Sequence, residues 1–241
     1  MKSIAMCLCV LFAASVSQAG IIRGLEHYGT TPPSQEGWVL ASGAPSSAHP
    51  YVCGDGTETW QMTMPSGYYR LEPADYSDLN FDVDWSLDFN MRYQWGSRGK
   101  FRATVLDGEA GHSFTWDDAG SYYYIPGAGD TLIPGSDVPL FHNTFHDYGM
   151  AFDEATGDMT YSMDGVEFDV LARDEQNPTT ATMFYWGCNA GSGSGSALWH
   201  ELTYEYAPEP STAMLMVMGL VGVCGWRRRR QLLRENRRPK R

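Results

Sequence analysis

Between Leu79 and Trp95 apolar and polar residues alternate without a break. Leu79, Phe81, Val83, Trp85, Leu87, Phe89, Met91, Tyr93 and Trp95 hold the odd positions, and Asn80, Asp82, Asp84, Ser86, Asp88, Asn90, Arg92 and Gln94 fill the gaps. A period of two sends successive side chains to opposite faces, so this stretch predicts β-structure with one face buried and the other in water. It exceeds the usual length of a strand, roughly three to ten residues, which predicts either two strands or one bent sharply near residues 85 to 88.

The same period recurs along the chain. Trp60, Met62 and Met64 share a side of the run from Thr57 to Met64; Phe101, Ala103 and Val105 oppose Arg102 and Thr104 in the run from Lys100 to Leu106. Shorter strands are predicted at 68–71, 112–116 and 121–125, with an edge strand around Thr131-Leu132-Ile133. From Asp147 to Val170, Tyr148, Met150 and Phe152 share a face, as do Met159, Tyr161 and Met163, with turns at Glu154-Ala155-Thr156-Gly157 and Asp164-Gly165. Asp-Gly between short alternating runs is a strong hairpin signal, so a three-stranded antiparallel meander is expected there. Further strands are expected at 180–186 and over Leu198, His200, Leu202, Tyr204 and Tyr206, separated by the glycine-serine run 191–195. No amphipathic helix of about ten residues or more precedes residue 207, so the expectation is all-β: two packed antiparallel sheets.

The two ends do not belong to that pattern. Met1-Lys2-Ser3, the apolar run 4–14 and Ser17-Gln18-Ala19 follow the order of a secretory signal peptide, with cleavage expected after Ala19. Residues 20–50, rich in Pro, Ser and Gly around an island at Trp38-Val39-Leu40, read as an N-terminal arm or first edge strand, and 51–206 as the sandwich. After it come Pro208-Glu209-Pro210-Ser211, a hydrophobic segment at 212–226, Arg227-Arg228-Arg229-Arg230, and a basic tail at 232–241. The apolar segment is shorter than the roughly 20 residues of a comfortable membrane span, and the arginines fix one end in the cytoplasm, which predicts a short transmembrane helix or temporary anchor.

Removing the ends changes the charge. The whole chain carries -12, but residues 20–207 hold 7 basic and 27 acidic residues, a net of -20. A body this acidic repels nucleic-acid backbones and anionic lipid, and no nucleic-acid partner is expected. Of five cysteines, Cys7 and Cys9 leave with the signal and Cys224 lies in the hydrophobic tail. Cys53 and Cys188 remain, an even pair in an oxidising compartment, so a disulfide between them is expected.

Two resemblances follow from these motifs. Pro208, Glu209, Pro210 and Ser211, the hydrophobic segment and Arg227, Arg228, Arg229 and Arg230, together spanning about 207–231, resemble the PEP-CTERM sorting signal of Gram-negative bacteria. The resemblance implies export, transient inner-membrane anchoring, processing by an exosortase-type enzyme and release to the cell surface or extracellular matrix, often beside exopolysaccharide. Phe145-His146-Asp147-Tyr148, the hairpin through Tyr161-Ser162-Met163-Asp164-Gly165-Val166 and the close from Phe184-Tyr185-Trp186-Gly187 to Trp199 resemble the concanavalin A-like lectin/glucanase superfamily in its laminin-G-like jelly-roll form. That implies a jelly-roll β-sandwich. Related glucanases carry a Glu-x-Asp-x-Glu strand, which this sequence lacks.

Candidate chemistry is sparse. Asp82, Asp84 and Asp88 are the first place to look for paired carboxylates, but they read as the wet face of an edge or outer strand. His142 and His146 are four apart, a step that aligns ligands only on a helix. Calcium wants six to eight oxygens, which the acidic turns holding Asp107, Glu109, Asp153 and Glu154 can supply. Trp116, Asp117, Asp118, Tyr122, Tyr123 and Tyr124 are the candidate ligand-facing group, because aromatic faces cover a sugar ring while carboxylates take its hydroxyls. Tyr122 and Tyr124 must face away from Tyr123, so one side of that run is core. Three functions stay open: an exported non-catalytic surface or matrix protein that binds a glycan, a secreted polysaccharide hydrolase or lyase, and a structural matrix component with no specific ligand.

Overall fold

The computed structural model describes residues 22–43, 48–64, 69–97, 101–117, 119–125, 129–134, 136, 144–188 and 194–207. The signal peptide, the Pro208 to Arg230 sorting segment with its hydrophobic stretch, the basic tail and Asp118 lie outside the described residues. None of the described helices is long and apolar enough to cross a membrane.

Two antiparallel sheets face each other. Sheet A runs in the order β13 (Val166–Leu171), β12 (Asp158–Met163), β11 (His146–Asp153), β6 (Trp85–Ser97), β16 (Ser194–Tyr206), β4 (Glu58–Met64) and β3 (Ala48–Val52), and β1 (Ile22–Tyr28) pairs with the end of β16. Sheet B runs β10 (Gly129–Leu132), β9 (Gly120–Ile125), β8 (Ala110–Asp117), β7 (Phe101–Asp107), β15 (Thr182–Cys188), β5 (Tyr69–Pro73) and β2 (Trp38–Gly43), with β14 (Asn177–Pro178) paired to the start of β8. Neighbours such as β6 and β16, or β7 and β15, are far apart in sequence, which is the connectivity of a jelly roll.

The long alternating stretch resolves into one strand and a lead-in. Residues 79–84 are irregular, and within them a local side chain takes up a backbone donor: Asn80 accepts the Asp82 N–H at 3.1 Å. Such bonds compete with strand pairing. From Trp85 the chain becomes β6, flanked by β11 and β16, so it is a central strand and not an edge. Trp85, Leu87, Phe89, Met91 and Tyr93 are all buried against sheet B. Phe89 meets Phe114 at 5.5 Å and Trp116 at 5.3 Å between ring centres, both edge-on, and stacks on Tyr148 at 5.4 Å.

The expected meander is present as β11, β12 and β13. Asp164 and Gly165 sit at φ of 51° and 75°, the left-handed pair that a two-residue hairpin turn requires. The Asp164 N–H donates to the Asp147 carbonyl at 2.7 Å, fastening the turn to β11.

β16 departs from simple alternation. Its register shifts between Ser196 and Ala197 and between Trp199 and Glu201. Ala197 and Trp199 face the core before the second shift, and Leu202 and Tyr204 after it, so the inward parity changes at His200. A bulge of this kind accommodates one extra residue on one strand. It turns Glu201, Thr203 and Glu205 to the outer face.

Phe89→Asp is expected to cost several kcal/mol by placing a carboxylate in this core, whereas Val166→Asp on exposed β13 stays within about 0.5 kcal/mol. Thermal unfolding of the two variants is the check, and equal melting would overturn the placement of β6.

Candidate functional site

On sheet B the inward positions are Phe101, Ala103 and Val105 of β7, Phe114 and Trp116 of β8, and Tyr123 of β9. Alternation then turns Arg102, Thr104, Ser113, Thr115, Asp117, Tyr122, Tyr124 and Tyr185 to the outer face. The register lines them up: Thr115 lies between Tyr122 and Arg102, and Thr104 between Ser113 and Tyr185. Thr115 is 1% exposed, Thr104 6% and Tyr185 9%, so this face is enclosed rather than bare. The Thr115 and Thr104 hydroxyls and the Arg102 Nε are buried with no hydrogen-bond partner. Buried polar groups are ordinarily paired, and these three atoms are exceptions on this face. The Arg102 guanidinium points toward Asp130 on β10, 3.9 Å away.

Half of the group expected to face a ligand stands on this face. Tyr122, Tyr124 and Asp117 do, although Asp117 spends one carboxylate oxygen on the Ala119 N–H at 2.9 Å. Trp116 and Tyr123 are core residues instead. The Trp116 ring is fully buried beside Phe89, Phe114 and Trp199. The Tyr123 hydroxyl reaches Asp169 on β13; burial, and next that carboxylate, raise its pKa above the ordinary tyrosine range. Thr104, Thr115 and Tyr185 escaped the sequence reading because a threonine on a wet face carries no signal until its hydroxyl is seen to be enclosed.

The four acidic residues considered for calcium lie in two separate turns. Asp107 Oδ1 accepts the N–H groups of Glu109 at 2.9 Å and Ala110 at 2.6 Å, and its Oδ2 is 3.4 Å from Nε2 of buried His112. Glu109 pairs with Arg173. Asp153 Oδ1 accepts from Ala155 at 2.9 Å and Thr156 at 3.2 Å, while the Glu154 N–H donates to Asp84 at 2.9 Å. Among the described residues no group of three or more His, Cys, Asp and Glu is placed to hold a metal ion. His146 binds Asp164 at 2.7 Å, and His200 bonds the Glu58 carbonyl at 2.6 Å.

The expected Cys53–Cys188 disulfide is not seen. Cys53 opens the turn between β3 and β4, where its backbone N–H donates to Thr57 and its sulfur receives the Arg92 guanidinium at 3.4 Å. Cys188 ends β15 in sheet B, between Phe101 and Tyr69 in register, and is packed in the core.

The outer face of sheet A holds a second feature, a groove of about 370 Å³ lined by Asp88, Asn90, Asp147, Gly149, Ser162, Glu201 and Thr203 among others. Asp82 and Asp84 stay in the irregular lead-in, so of the three aspartates only Asp88 reaches this face. Gly149 is its floor: a Cβ there would lie 2.5 Å from Ser162 Oγ and 2.9 Å from Asp88 Oδ1. Burial raises the Asp88 pKa above its ordinary 3.8, opposed by a bond to Ser86 and reinforced by the carboxylates of Glu205, Asp147 and Glu201. Three of these partners come from the β16 bulge and the meander, which alternation in sequence did not reveal.

A carboxyl with a raised folded pKa binds its proton more readily in the native state than when unfolded. Its charge therefore destabilises the fold above the raised pKa, and that cost disappears as pH falls below the unfolded value of 3.8. Asp88→Asn is expected to melt higher than the unaltered protein near neutral pH and to converge with it in acid; a constant difference at all pH values would contradict the assignment.

Comparison with known proteins agrees with this architecture. Residues 207–230 match the PEP-CTERM protein-sorting motif, which indicates export and a membrane-anchored sorting signal. No curated protein matches the sequence. Among solved structures, the Crh5 transglycosylase in complex with NAG is similar at 15% identity and a TM-score of 0.53, over 78% of this chain and 88% of that one. The endo-1,3-beta-glucanase from Streptomyces sioyaensis gives 11% identity and a TM-score of 0.52, over 78% and 98%. The binding domain of botulinum neurotoxin DC in complex with SialylT gives 9% identity and a TM-score of 0.50 over 81% of this chain, which spans only 50% of that one. At such identities the likeness is one of fold: the chain carries a glucanase-like jelly-roll sandwich followed by a PEP-CTERM sorting motif.

Proposed function

We propose that this is an exported, membrane-sorted protein whose sandwich binds a saccharide on the outer face of sheet B and that it does so without cleaving it. The observation that carries this reading is the enclosed row of Tyr122, Thr115 and Arg102, beside Tyr124, Thr104 and Tyr185, with two hydroxyls and a guanidinium nitrogen left without internal partners. Aromatic rings can cover the apolar side of a sugar while hydroxyl and guanidinium groups meet its oxygens. The similar transglycosylase and toxin domain were solved with NAG and SialylT, which supports a saccharide as the ligand class. Glycoside hydrolysis needs two carboxyl groups across the sugar. The carboxylates of this face, Asp117 and Asp130, are engaged by the Ala119 N–H and by Arg102, and this favours binding over hydrolysis.

A second reading places hydrolysis on sheet A. Asp88, inclined to keep its proton, beside Glu201 and Asp147 has the pairing of an acid with a base. Release of reducing ends from a polysaccharide by the protein, lost in Asp88→Asn, would establish it in place of the first.

For the binding reading, Tyr122→Ala is expected to weaken binding on a glycan array by about tenfold or more. Thr115→Val is expected to weaken it too while leaving the melting temperature equal or higher, since it removes an unpaired buried hydroxyl. Unchanged array binding in both variants would refute the site. For sorting, intact mass of protein released from the surface is expected to lack residues 212–241, and their retention would refute processing of the tail.

A further inference from the structure

Resting on the glycan-binding reading, we infer that Arg102 and Asp130 form a charge-neutral clamp on the outer face of sheet B that admits an uncharged sugar and rejects a uronate. The two residues stand on β7 and β10, separated by β8 and β9, which is about 14 Å of sheet. To come within 3.9 Å of Asp130, Arg102 must reach across the face. Both side chains remain about a quarter exposed, at 29% and 24%, so the clamp is open to solvent at its mouth.

The gap decides the chemistry. At 3.9 Å the guanidinium and carboxylate attract each other but are beyond direct hydrogen-bond contact, so a hydroxyl seated beside the pair can reach both. A sugar hydroxyl suits it on both sides, because its oxygen accepts from Arg102 while its proton goes to Asp130. A uronate carboxylate satisfies only the first of these. It has no proton for Asp130 and brings two negative charges together in an enclosed place, where like charges cost most.

The neighbouring groups fit the same ligand. The Arg102 Nε is an obligatory donor, whereas the unpaired Thr104 and Thr115 hydroxyls can donate or accept, as sugar hydroxyls do. Asp117 on the same face adds negative charge, and the body from 20 to 207 carries a net -20, so an anionic chain approaches a field of its own sign. Arg102 is thus held electrically balanced by Asp130 instead of being presented to an anion.

The test compares soluble α-glucan, β-glucan and mannan with the same polymers oxidised at C6 to uronates, by affinity electrophoresis of the full chain. The protein is expected to bind at least one neutral polymer about tenfold or more tightly than its oxidised form at low salt. Asp130→Asn is expected to raise binding of the oxidised form by about tenfold, and Arg102→Gln to weaken the neutral form by about the same factor. Arg102→Lys, which keeps the charge, replaces Arg102→Gln if that variant does not melt cooperatively. Equal or tighter binding of the oxidised polymer, or an unchanged ratio in Asp130→Asn, overturns the clamp alone. Binding of no polymer in either form overturns the glycan reading, and the clamp with it.

Discussion

The packing of Phe89 against Phe114 and Trp116 is the constraint from which the rest of the molecule follows. It joins the middle of sheet A to the middle of sheet B, and in a strand the facing of one residue decides that of all the others. With Phe89 inward, Asp88 and Asn90 are outward and form part of the acidic groove. With Phe114 and Trp116 inward, Ser113, Thr115 and Asp117 are outward and form part of the enclosed tyrosine face. Both candidate surfaces are consequences of a few aromatic contacts too deep to touch any ligand.

Much of this was legible in the sequence because alternation is a local property. The strands of the meander, the Asp164-Gly165 turn and the inward set from Trp85 to Tyr93 could be read directly. What could not be read were the places where local rules give way. The lead-in at 79–84 keeps the alternation but gives the Asp82 N–H to the Asn80 side chain. β16 changes parity at a bulge, which moves Glu201 and Glu205 to a face where sequence spacing had not put them. Trp116 looked available because tryptophans suit sugars, yet its parity with Phe114 binds it to the core. Arg102 and Asp130 meet across two intervening strands, a relation that no linear spacing encodes.

The two outer faces have different electrical characters although they belong to one acidic body. The groove on sheet A gathers Asp88, Asp147, Glu201 and Glu205, and burial, reinforced by their mutual repulsion, appears as a reluctance of Asp88 to ionise. The face on sheet B sets Arg102 against Asp130 and surrounds them with hydroxyls and phenol rings. Aromatic and hydroxyl groups with a balanced ion pair make a surface that gains from hydrogen bonding and ring contact, and little from long-range attraction. Association there would be slower than for a steered ligand and less sensitive to salt.

The position of β16 has a mechanical meaning. Its final residue, Tyr206, is paired with Ile22 on one side and Trp85 on the other, and the sorting motif begins at the next residue. A pull applied along the strand direction at Tyr206 would load β16 lengthwise. The ladders to β6, β4 and β1 then bear the load together in shear, each hydrogen bond sharing the force, and no single pair at the end is peeled away first. The strand that leads into the sorting motif is therefore also one held on both sides up to its last residue.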